Sequence, residues 1–217
     1  MSNLFLARLP AGRHGLPREF VARNQRDRIA AGIVAAVAAH GYSETTISQI
    51  AEAAGVSRRT FYAYFPSKEE CFLATYEMVL GHLADSSRAA AASEEEWPAA
   101  VRARLGAALD FFAANPDLAR FCLIAPARAG EEVAAPYRRA VAAALEELKK
   151  GMPSSPAVRM PSQATQDSTL GGMIALLVRK VEAGEGDMLP ELLPELLELF
   201  LAPYLGREEA LHLSQRG

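Results

Sequence analysis

The stretch Gly55–Glu70, GVSRRTFYAYFPSKEE, places two arginines and four aromatic residues within eight consecutive positions. Phe61 and Phe65 are four residues apart, so a helix puts both rings on one face, where they can pack against the interior. The arginines and tyrosines of the stretch must then face other directions. A surface that is both cationic and aromatic suits phosphates and base edges, which indicates a contact with nucleic acid.

Turn and capping residues predict two short helices joined by a tight turn. The first helix covers about 46–54, and either Thr45 or Thr46 can cap it. Gly55 ends this helix, because glycine readily adopts a positive φ. The second helix covers about 58–64 and contains the two arginines.

Serine-led capping boxes predict where two later helices begin. Pro66 ends the second short helix, because the residue before a proline avoids the helical region. Ser-Lys-Glu-Glu at 67–70 then opens a long helix that reaches about residue 92, and Ser-Glu-Glu-Glu at 93–96 predicts a helix over about 94–114. Hydrophobic periodicity and breaker residues complete an all-α chain without a strand pattern, with a loop at 151–163 and helices at about 18–40, 116–124, 131–150, 163–183 and 190–202.

Charge is distributed unevenly along the chain. Residues 1–66 carry a net charge of +4 and residues 67–217 a net charge of −7. A basic N-terminal third suggests a polyanion-binding domain, although chance scatter of surface charge is the alternative. We expect a DNA-binding domain at 1–66, with a flexible basic arm at 1–17 and a helix-turn-helix at 46–65, and a ligand-binding and dimerisation domain at 67–217. The arm either enters the minor groove or is simply disordered.

Two short helices around a glycine-containing turn form a helix-turn-helix, whose second helix enters the major groove. Arginines at the start of this helix can donate two hydrogen bonds to guanine, and hydroxyl groups can reach phosphates. Lys68 and the N-terminus of the next helix offer an anion site. The alternative is a solvated or ion-paired arginine and a packed tyrosine. The predicted DNA-binding residues are Thr46, Ser48, Ser57, Arg58, Arg59, Thr60, Tyr62, Tyr64 and Lys68.

Residues 45–73, TTISQIAEAAGVSRRTFYAYFPSKEECFL, resemble the signature of TetR-family transcriptional regulators. The shared features are a threonine, an apolar pair, Gly-Val-Ser, a basic residue, an aromatic-x-aromatic-Phe run and a Lys-Glu helix start. The resemblance implies an all-α homodimer that binds a palindromic operator, usually as a repressor that a small ligand releases. It also implies DNA contacts at Thr46, Arg58, Arg59, Thr60, Tyr62, Tyr64 and Lys68.

Two positions depart from the family pattern. Ala63 stands where many relatives carry a longer polar or aromatic residue, which puts one phosphate contact in doubt. Arg59 is bulkier than the small residue often found at its position. Its spacing leaves two roles open, that of a base reader and that of a clamp on the DNA backbone.

Two strongly apolar helices near the C-terminus suggest that the chain dimerises. Their apolar faces are broader than one packing partner requires, and the Gly171-Gly172 pair permits close approach of two backbones. The alternative is that these side chains belong only to the core of one chain. The predicted dimer interface consists of Leu170, Ile174, Leu177, Val178, Val181, Leu193, Leu196, Leu197 and Phe200.

The middle helices carry bulky side chains with a few polar ends, a composition that suits a pocket for an apolar or aromatic small molecule. The alternative for each residue is ordinary packing in a helical core. Phe111 and Phe112 are adjacent, so only one of the two can face a given cavity. The predicted ligand-binding residues are Met78, His82, Trp97, Phe111, Phe112, Phe121, Cys122, Tyr137 and Met173.

The sequence does not indicate other functional classes. Cys71 and Cys122 have no metal-like spacing, and no common catalytic or nucleotide-binding motif occurs, so we predict no metal, cofactor or enzymatic activity. Without a signal-peptide pattern or a membrane-spanning apolar run, we expect a cytoplasmic protein with reduced thiols. Two alternatives to a ligand-released repressor are a constitutive DNA-binding regulator and a helical ligand carrier or enzyme with a vestigial DNA-binding head.

Overall fold

The computed structural model describes residues 18–156 and 158–215, whose regular secondary structure is entirely helical. The predicted all-α fold is confirmed. The predicted arm at 1–17 lies outside the described residues. The α-helices are α1 (Arg18–His40), α2 (Ile47–Ala54), α3 (Arg58–Tyr64), α4 (Lys68–Ala90), α5 (Trp97–Ala114), α6 (Pro116–Ala119), α7 (Glu131–Lys149), α8 (Gln163–Glu182), α9 (Leu193–Leu205) and α10 (Arg207–Gln215).

Contacts group the described residues into two compact units. Unit 1 holds the chain through Leu80 together with Arg120–Pro136, whereas unit 2 holds Gly81–Ala119 and the chain from Tyr137 onward. The first half of α4 and the start of α7 therefore belong to the same unit as the N-terminal helices. The predicted domain boundary at residue 66 stays a prediction.

The core of unit 1 joins α1 to the two short helices. Ile29 and Ile33 on α1, Ile50 on α2 and Phe61 on α3 are completely buried. The close approach of α1 and α2 depends on Gly32, since a Cβ at this position would lie 2.7 Å from the carbonyl oxygen of Ile50. Such a distance is shorter than a real Cβ contact, so glycine is required where the two helices meet.

A π-helical turn, Arg120–Ile124, replaces the end of the predicted helix at 116–124, and a 3₁₀ turn, Ala125–Arg128, follows it. The π-helical turn packs in unit 1, where the Phe121 ring lies 4.4 Å from the Phe72 ring between centroids. Cys71 and Cys122 are both buried free thiols. Burial raises the pKa of Cys71 to about 12 and also raises the pKa of Cys122, so neither thiol has the thiolate character of a reactive cysteine.

Unit 2 has an aromatic core built on Trp97 at the start of α5. Its ring lies 5.4 Å from Tyr204 and 6.3 Å from Phe200, both on α9. The indole Nε1 donates a buried hydrogen bond to the carbonyl oxygen of Leu148 on α7 at 2.9 Å. This contact fixes the polar edge of the ring inside the unit.

The predicted start of α5 was wrong, because the Ser-Glu-Glu-Glu run at 93–96 is not a capping box here. The helix begins at Trp97, and its N-cap residue Glu96 makes no side-chain capping hydrogen bond. Pro98 explains the later start, because proline fits only in the first turn of a helix.

Two differences concern the C-terminal segment. A 3₁₀ segment, Gly186–Leu192, precedes α9, so the α-helix begins at Leu193 rather than near residue 190. The sequence reasoning did not predict α10. Arg102 on α5 holds this helix by donating to the carbonyl oxygens of Leu213 at 2.6 Å and Ser214 at 3.1 Å.

No helix within the described residues is both long and apolar enough to cross a membrane. The same part of the chain contains no group of three His, Cys, Asp or Glu side chains arranged to hold a metal ion.

Candidate nucleic-acid interface

A glycine turn sets the angle between α2 and α3. Gly55 has φ 62° and ψ 39°, the left-handed conformation that favours glycine. Its N–H donates to the carbonyl oxygen of Glu52, and the N–H of Val56 donates to that of Ala51, each at 2.9 Å. This pair of hydrogen bonds is a Schellman motif, which ends α2 and directs the chain into α3.

Side-chain caps start both short helices. Thr46, rather than Thr45, caps α2, because its Oγ1 accepts from the N–H of Gln49 at 3.3 Å while Gln49 Oε1 accepts from the N–H of Thr46 at 2.7 Å. Ser57 caps α3 by accepting from the N–H of Thr60 at 3.0 Å. Thr45 is buried, and its hydroxyl donates to the carbonyl oxygens of two residues of the preceding helix and turn. The predicted contact residue Ser57 therefore also has a structural role as a cap.

Burial separates the two kinds of side chain on α3 as the sequence predicts. Phe61 is 0% exposed and Phe65 is 4% exposed, whereas Tyr62 is 50% exposed. Arg58 and Arg59 are exposed at the start of the helix. α3 thus presents cationic and aromatic groups outward while its phenylalanines hold it to unit 1.

The remaining predicted DNA-binding residues differ in exposure. Thr46 and Ser48 are exposed on the first turn of α2, and Thr60 and Tyr64 are partly exposed on α3. Ala63, the residue that departs from the family pattern, is exposed. The interface that these residues form with DNA stays a prediction.

Lys68 is already occupied by the protein. Its ammonium donates to the carbonyl oxygens of Tyr42 at 2.8 Å and Thr45 at 3.0 Å, and it lies 4.5 Å from the centroid of the Tyr42 ring. We therefore revise the predicted anion site. The lysine joins the start of α4 to the turn between α1 and α2, and its positive charge is not free for a phosphate.

Tyr42 links this turn to α4 through its ring. The ring makes an edge contact with Phe72 at 4.9 Å between centroids. Burial, together with the nearby carboxylates of Glu69 and Glu132, raises the pKa of the Tyr42 hydroxyl to about 12. The phenol therefore remains neutral at physiological pH and serves packing.

Arg28 on α1 is a positioning residue that the sequence reasoning missed. Its Nη2 donates to the carbonyl oxygens of Ala54 at 2.7 Å and Gly55 at 2.6 Å, and its Nε also donates to Ala54 at 3.1 Å. The guanidinium thus holds the C-terminus of α2 and the turn that follows. The two partners are 26 and 27 residues away, so no local sequence signal could identify this contact.

The predicted ligand-binding residues fall in both compact units rather than in one. Met78, Phe121 and Cys122 belong to unit 1, and the other six belong to unit 2. Trp97 and Phe121 are buried in aromatic clusters, whereas His82 is exposed. The ligand-binding set stays a prediction.

The structure changes which residues can form a dimer interface. Four of the predicted residues are half-buried, namely Ile174, Leu177, Val178 and Leu193. The other five are buried in the protomer's own core and cannot offer surface to a second copy, namely Leu170, Val181, Leu196, Leu197 and Phe200. Exposed positions on the same two helices include the small residues Gly171, Gly172 and Ala175 on α8 and the apolar Leu199 on α9.

Residues 29–75 match the model of the bacterial regulatory proteins of the tetR family. This segment contains α2, the glycine turn, α3 and the start of α4. The family match therefore falls on the elements that form the candidate interface.

Whole-chain comparisons show the same architecture. The fatty acid degradation regulator FadR from Bacillus halodurans has a TM-score of 0.71 and 20% identity, with 82% of this chain and 94% of that chain covered. The transcriptional regulator FadR from Bacillus subtilis, in complex with stearoyl-CoA, has a TM-score of 0.69 and 17% identity, with 81% and 97% covered. These similarities establish a shared fold.

A sequence relative is the nucleoid occlusion factor SlmA from Haemophilus ducreyi, which is 30% identical over 105 residues. The match includes 48% of this chain and 52% of SlmA, so the chain spans about half the length of this relative. The N-terminal segment of this chain therefore matches the tetR family of bacterial regulatory proteins, and the chain as a whole shares the helical fold of the regulators above.

Proposed function

We propose that the chain binds a palindromic operator as a homodimer and represses transcription until a small ligand releases it. The observation that carries the proposal is the arrangement of α3. Buried Phe61 and Phe65 fix this helix, and Arg58, Arg59 and Tyr62 face outward from it. The exposed groups match the chemistry of a major groove, which offers acceptors to arginine and is bordered by phosphates.

The two arginines at the start of α3 are available for DNA. Within the described part of the chain, neither guanidinium donates a hydrogen bond or forms an ion pair, in contrast to Arg28. The N-terminal end of a recognition helix is the part that approaches base edges. We assign base reading to Arg58 and leave Arg59 to either a base or the adjacent backbone.

Hydroxyl groups at the start of the two short helices complete the proposed contact. Thr46 and Ser48 are exposed on the first turn of α2, where free N–H groups also favour an anion. Tyr62 and Tyr64 extend along α3 with hydroxyls that can donate to phosphate oxygens. These contacts would fix the position of α3 without reading sequence.

A homodimer is proposed because one short recognition helix contacts few base pairs. Two copies related by a twofold axis would read two half-sites about one helical turn apart or a multiple of that spacing. The exposed small residues of α8 and the exposed Leu199 of α9 are the proposed contact surface. Small side chains allow the backbones of two helices to approach closely.

We propose a ligand with a long apolar part, and acyl-CoA thioesters are the first candidates. Support comes from the FadR structure of Bacillus subtilis, whose fold resembles this chain and which holds stearoyl-CoA. The many buried aromatic and aliphatic residues of unit 2 are compatible with such a ligand. Because α4 contributes residues to both units, it is the proposed link between ligand and DNA binding.

The DNA-binding proposal is tested with the Arg58→Ala variant on a sequence selected from random DNA by the wild-type protein. We expect a loss of about 1–3 kcal/mol in binding to the selected sequence and a relaxed preference among related sequences. Fluorescence anisotropy with labelled duplexes measures both quantities. The matched control is Arg139→Ala, which removes an exposed arginine from α7 and should bind like the wild type. Equal losses with Arg58→Ala on selected and random DNA would contradict base reading.

Ligand release is tested by titrating acyl-CoA thioesters of different chain length into the complex of wild-type protein and selected DNA. A coupling of about 1–3 kcal/mol should weaken DNA binding by roughly five- to 150-fold. A matching titration with free CoA distinguishes the effect of the acyl chain on DNA binding from the effect of the nucleotide part. Unchanged DNA affinity with every thioester would contradict this ligand class and favour the constitutive regulator.

A further inference from the structure

We infer that Arg26, on α1 and outside the helix-turn-helix, binds a DNA phosphate and thereby positions α3 in the groove. This inference rests on the proposed DNA binding. The inference gives Arg26 the contact with a DNA phosphate that the sequence pattern assigns to Lys68. Three observations support it, namely the contact of Arg26 with the Phe65 ring, the exposure of the Arg26 side chain and the position of α3.

Arg26 is fixed over the C-terminal end of α3. Its guanidinium carbon lies 5.3 Å from the centroid of the Phe65 ring. Phe65 is 4% exposed, and its N–H donates to the carbonyl oxygen of Phe61 at 3.0 Å. The aromatic ring under the guanidinium therefore lies at the C-terminal end of α3, so Arg26 is in direct contact with the end of this helix.

Contact with an aromatic ring occupies the face of a guanidinium and leaves the N–H groups at its edge available. Arg26 is exposed, and within residues 18–156 and 158–215 it donates no hydrogen bond and forms no ion pair. Its planar fork matches phosphate oxygens. An arginine already held by a ring also loses less side-chain entropy on binding than a freely rotating one.

Neighbouring cations are differently placed. The N–H donors of Arg28 and Lys68 are already occupied, because both side chains donate hydrogen bonds to main-chain carbonyl oxygens within the protein. Arg23 lies three residues before Arg26 on α1 and is exposed, so it adds positive potential on the same side of the helix. Exposed positive charge therefore continues from α3 onto the N-terminal half of α1.

The dimensions of the groove favour a phosphate as the partner of Arg26. The seven residues of α3 span about 10 Å at the helical rise, and the major groove is about 12 Å wide. When the N-terminal end of α3 reaches the bases, its other end lies at the rim of the groove. Arg26 at that end faces the sugar-phosphate backbone, which carries no sequence information.

The experiment compares Arg26→Gln with Arg139→Gln, a matched control that removes an exposed arginine from α7. Affinity is measured over a range of salt concentrations for both selected and random duplexes. We expect Arg26→Gln to weaken binding to both duplexes by the same factor. The salt slope, which is the slope of log affinity against log salt concentration, should fall in magnitude by about one for each bound protomer. Arg139→Gln should change neither quantity.

A second variant separates charge from geometry. Arg26→Lys keeps the positive charge but loses the planar guanidinium. We therefore expect a salt slope equal to that of the wild type, with an affinity below that of the wild type. Thermal unfolding of each variant reports whether the fold is intact, which the exposure of Arg26 leads us to expect.

Three results would overturn the inference. An unchanged salt slope for Arg26→Gln, together with weakened binding by Arg58→Ala, would contradict the phosphate contact of Arg26 but would still agree with the proposed function. A relaxed sequence preference for Arg26→Gln would make Arg26 a base reader instead. Absence of salt-dependent DNA binding by the wild-type protein would overturn both the inference and the proposed function.

Discussion

At the scale of the residue, Gly32 determines how closely α1 and α2 can pack. A Cβ there would lie 2.7 Å from the Ile50 carbonyl oxygen and 2.8 Å from the Cβ of Ala54. Both neighbours belong to α2, whose backbone is held at each end by caps. Because a helix backbone cannot move aside as a flexible side chain can, an added methyl group must push the two helices apart.

We expect Gly32→Ala to lower the free energy of unfolding by about 1–3 kcal/mol, the usual cost of overpacking. The control is Gly81→Ala, in the helical interior of α4, where an added Cβ meets nothing within 4 Å. This variant should be stabilised by roughly 0.5–1 kcal/mol, since alanine favours helix over glycine. Urea denaturation of both proteins measures the difference. Equal effects of the two substitutions would show that close packing at Gly32 is unimportant.

The arginines of unit 1 have different roles. Arg58 projects into solvent from α3, Arg28 holds the α2 C-terminus, and Arg26 lies against the Phe65 ring. All three contribute equally to the charge count of the N-terminal third. Only their partners in space distinguish a proposed base reader, a positioning residue and a proposed phosphate contact.

At the scale of the element, the short helices were predicted well and the start of α5 was not. α2, the turn and α3 are defined by contacts between residues at most five positions apart, such as that from Ser57 to Thr60. At α5 two local signals compete, because the glutamate run favours a start at 94 and Pro98 requires one near 97. The steric restriction of proline outweighs a capping preference, since a misplaced proline costs about 3 kcal/mol and a cap contributes about 1.

The junction between α4 and the α1–α2 turn gives a prediction for Lys68. We expect Lys68→Met to lower the free energy of unfolding by about 2 kcal/mol, because its charged hydrogen bonds to the Tyr42 and Thr45 carbonyls are lost. Arg58→Met, which alters an exposed side chain, should change stability by less than about 0.5 kcal/mol. Thermal and urea unfolding provide the measurement. A Lys68→Met protein of normal stability with a reduced salt slope for DNA binding would restore the phosphate role instead.

At the scale of the whole molecule, the chain joins a DNA-binding fold to an acidic helical unit. The overall charge of −3 conceals a basic N-terminal third, which is why the distribution is more informative than the total. The apolar residues of α8 and α9 divide similarly into two groups. One group fills the core of unit 2, and the other remains on the surface.

The exposed group on α8 and α9 leads to a prediction about the oligomeric state. We expect sedimentation equilibrium to give twice the 23.3 kDa mass of one chain. Leu199→Asp should shift the protein toward the monomer, because Leu199 is 37% exposed and lies beside Gly172, whose added Cβ would be 3.8 Å from its Cδ2.

The matched control is Leu211→Asp on α10, since Leu211 is 41% exposed but lies outside the proposed interface. This protein should remain a dimer. A wild-type monomer at micromolar concentration would contradict the dimer, and dissociation by Leu211→Asp alone would move the interface to α10.

Local sequence patterns were sufficient to predict the helical fold, the two short helices with their turn, and which aromatic rings of α3 face inward. These features depend on backbone preferences, caps and a four-residue periodicity, all of which act within a few positions. Three other features became apparent only in three dimensions: Gly32 lies where α1 and α2 pack closely, Lys68 is bound within the protein, and Phe200 is buried in its own protomer. The physical reason is that each of these depends on partners from other elements, such as the Tyr42 carbonyl, 26 residues from Lys68, and no local pattern encodes that proximity.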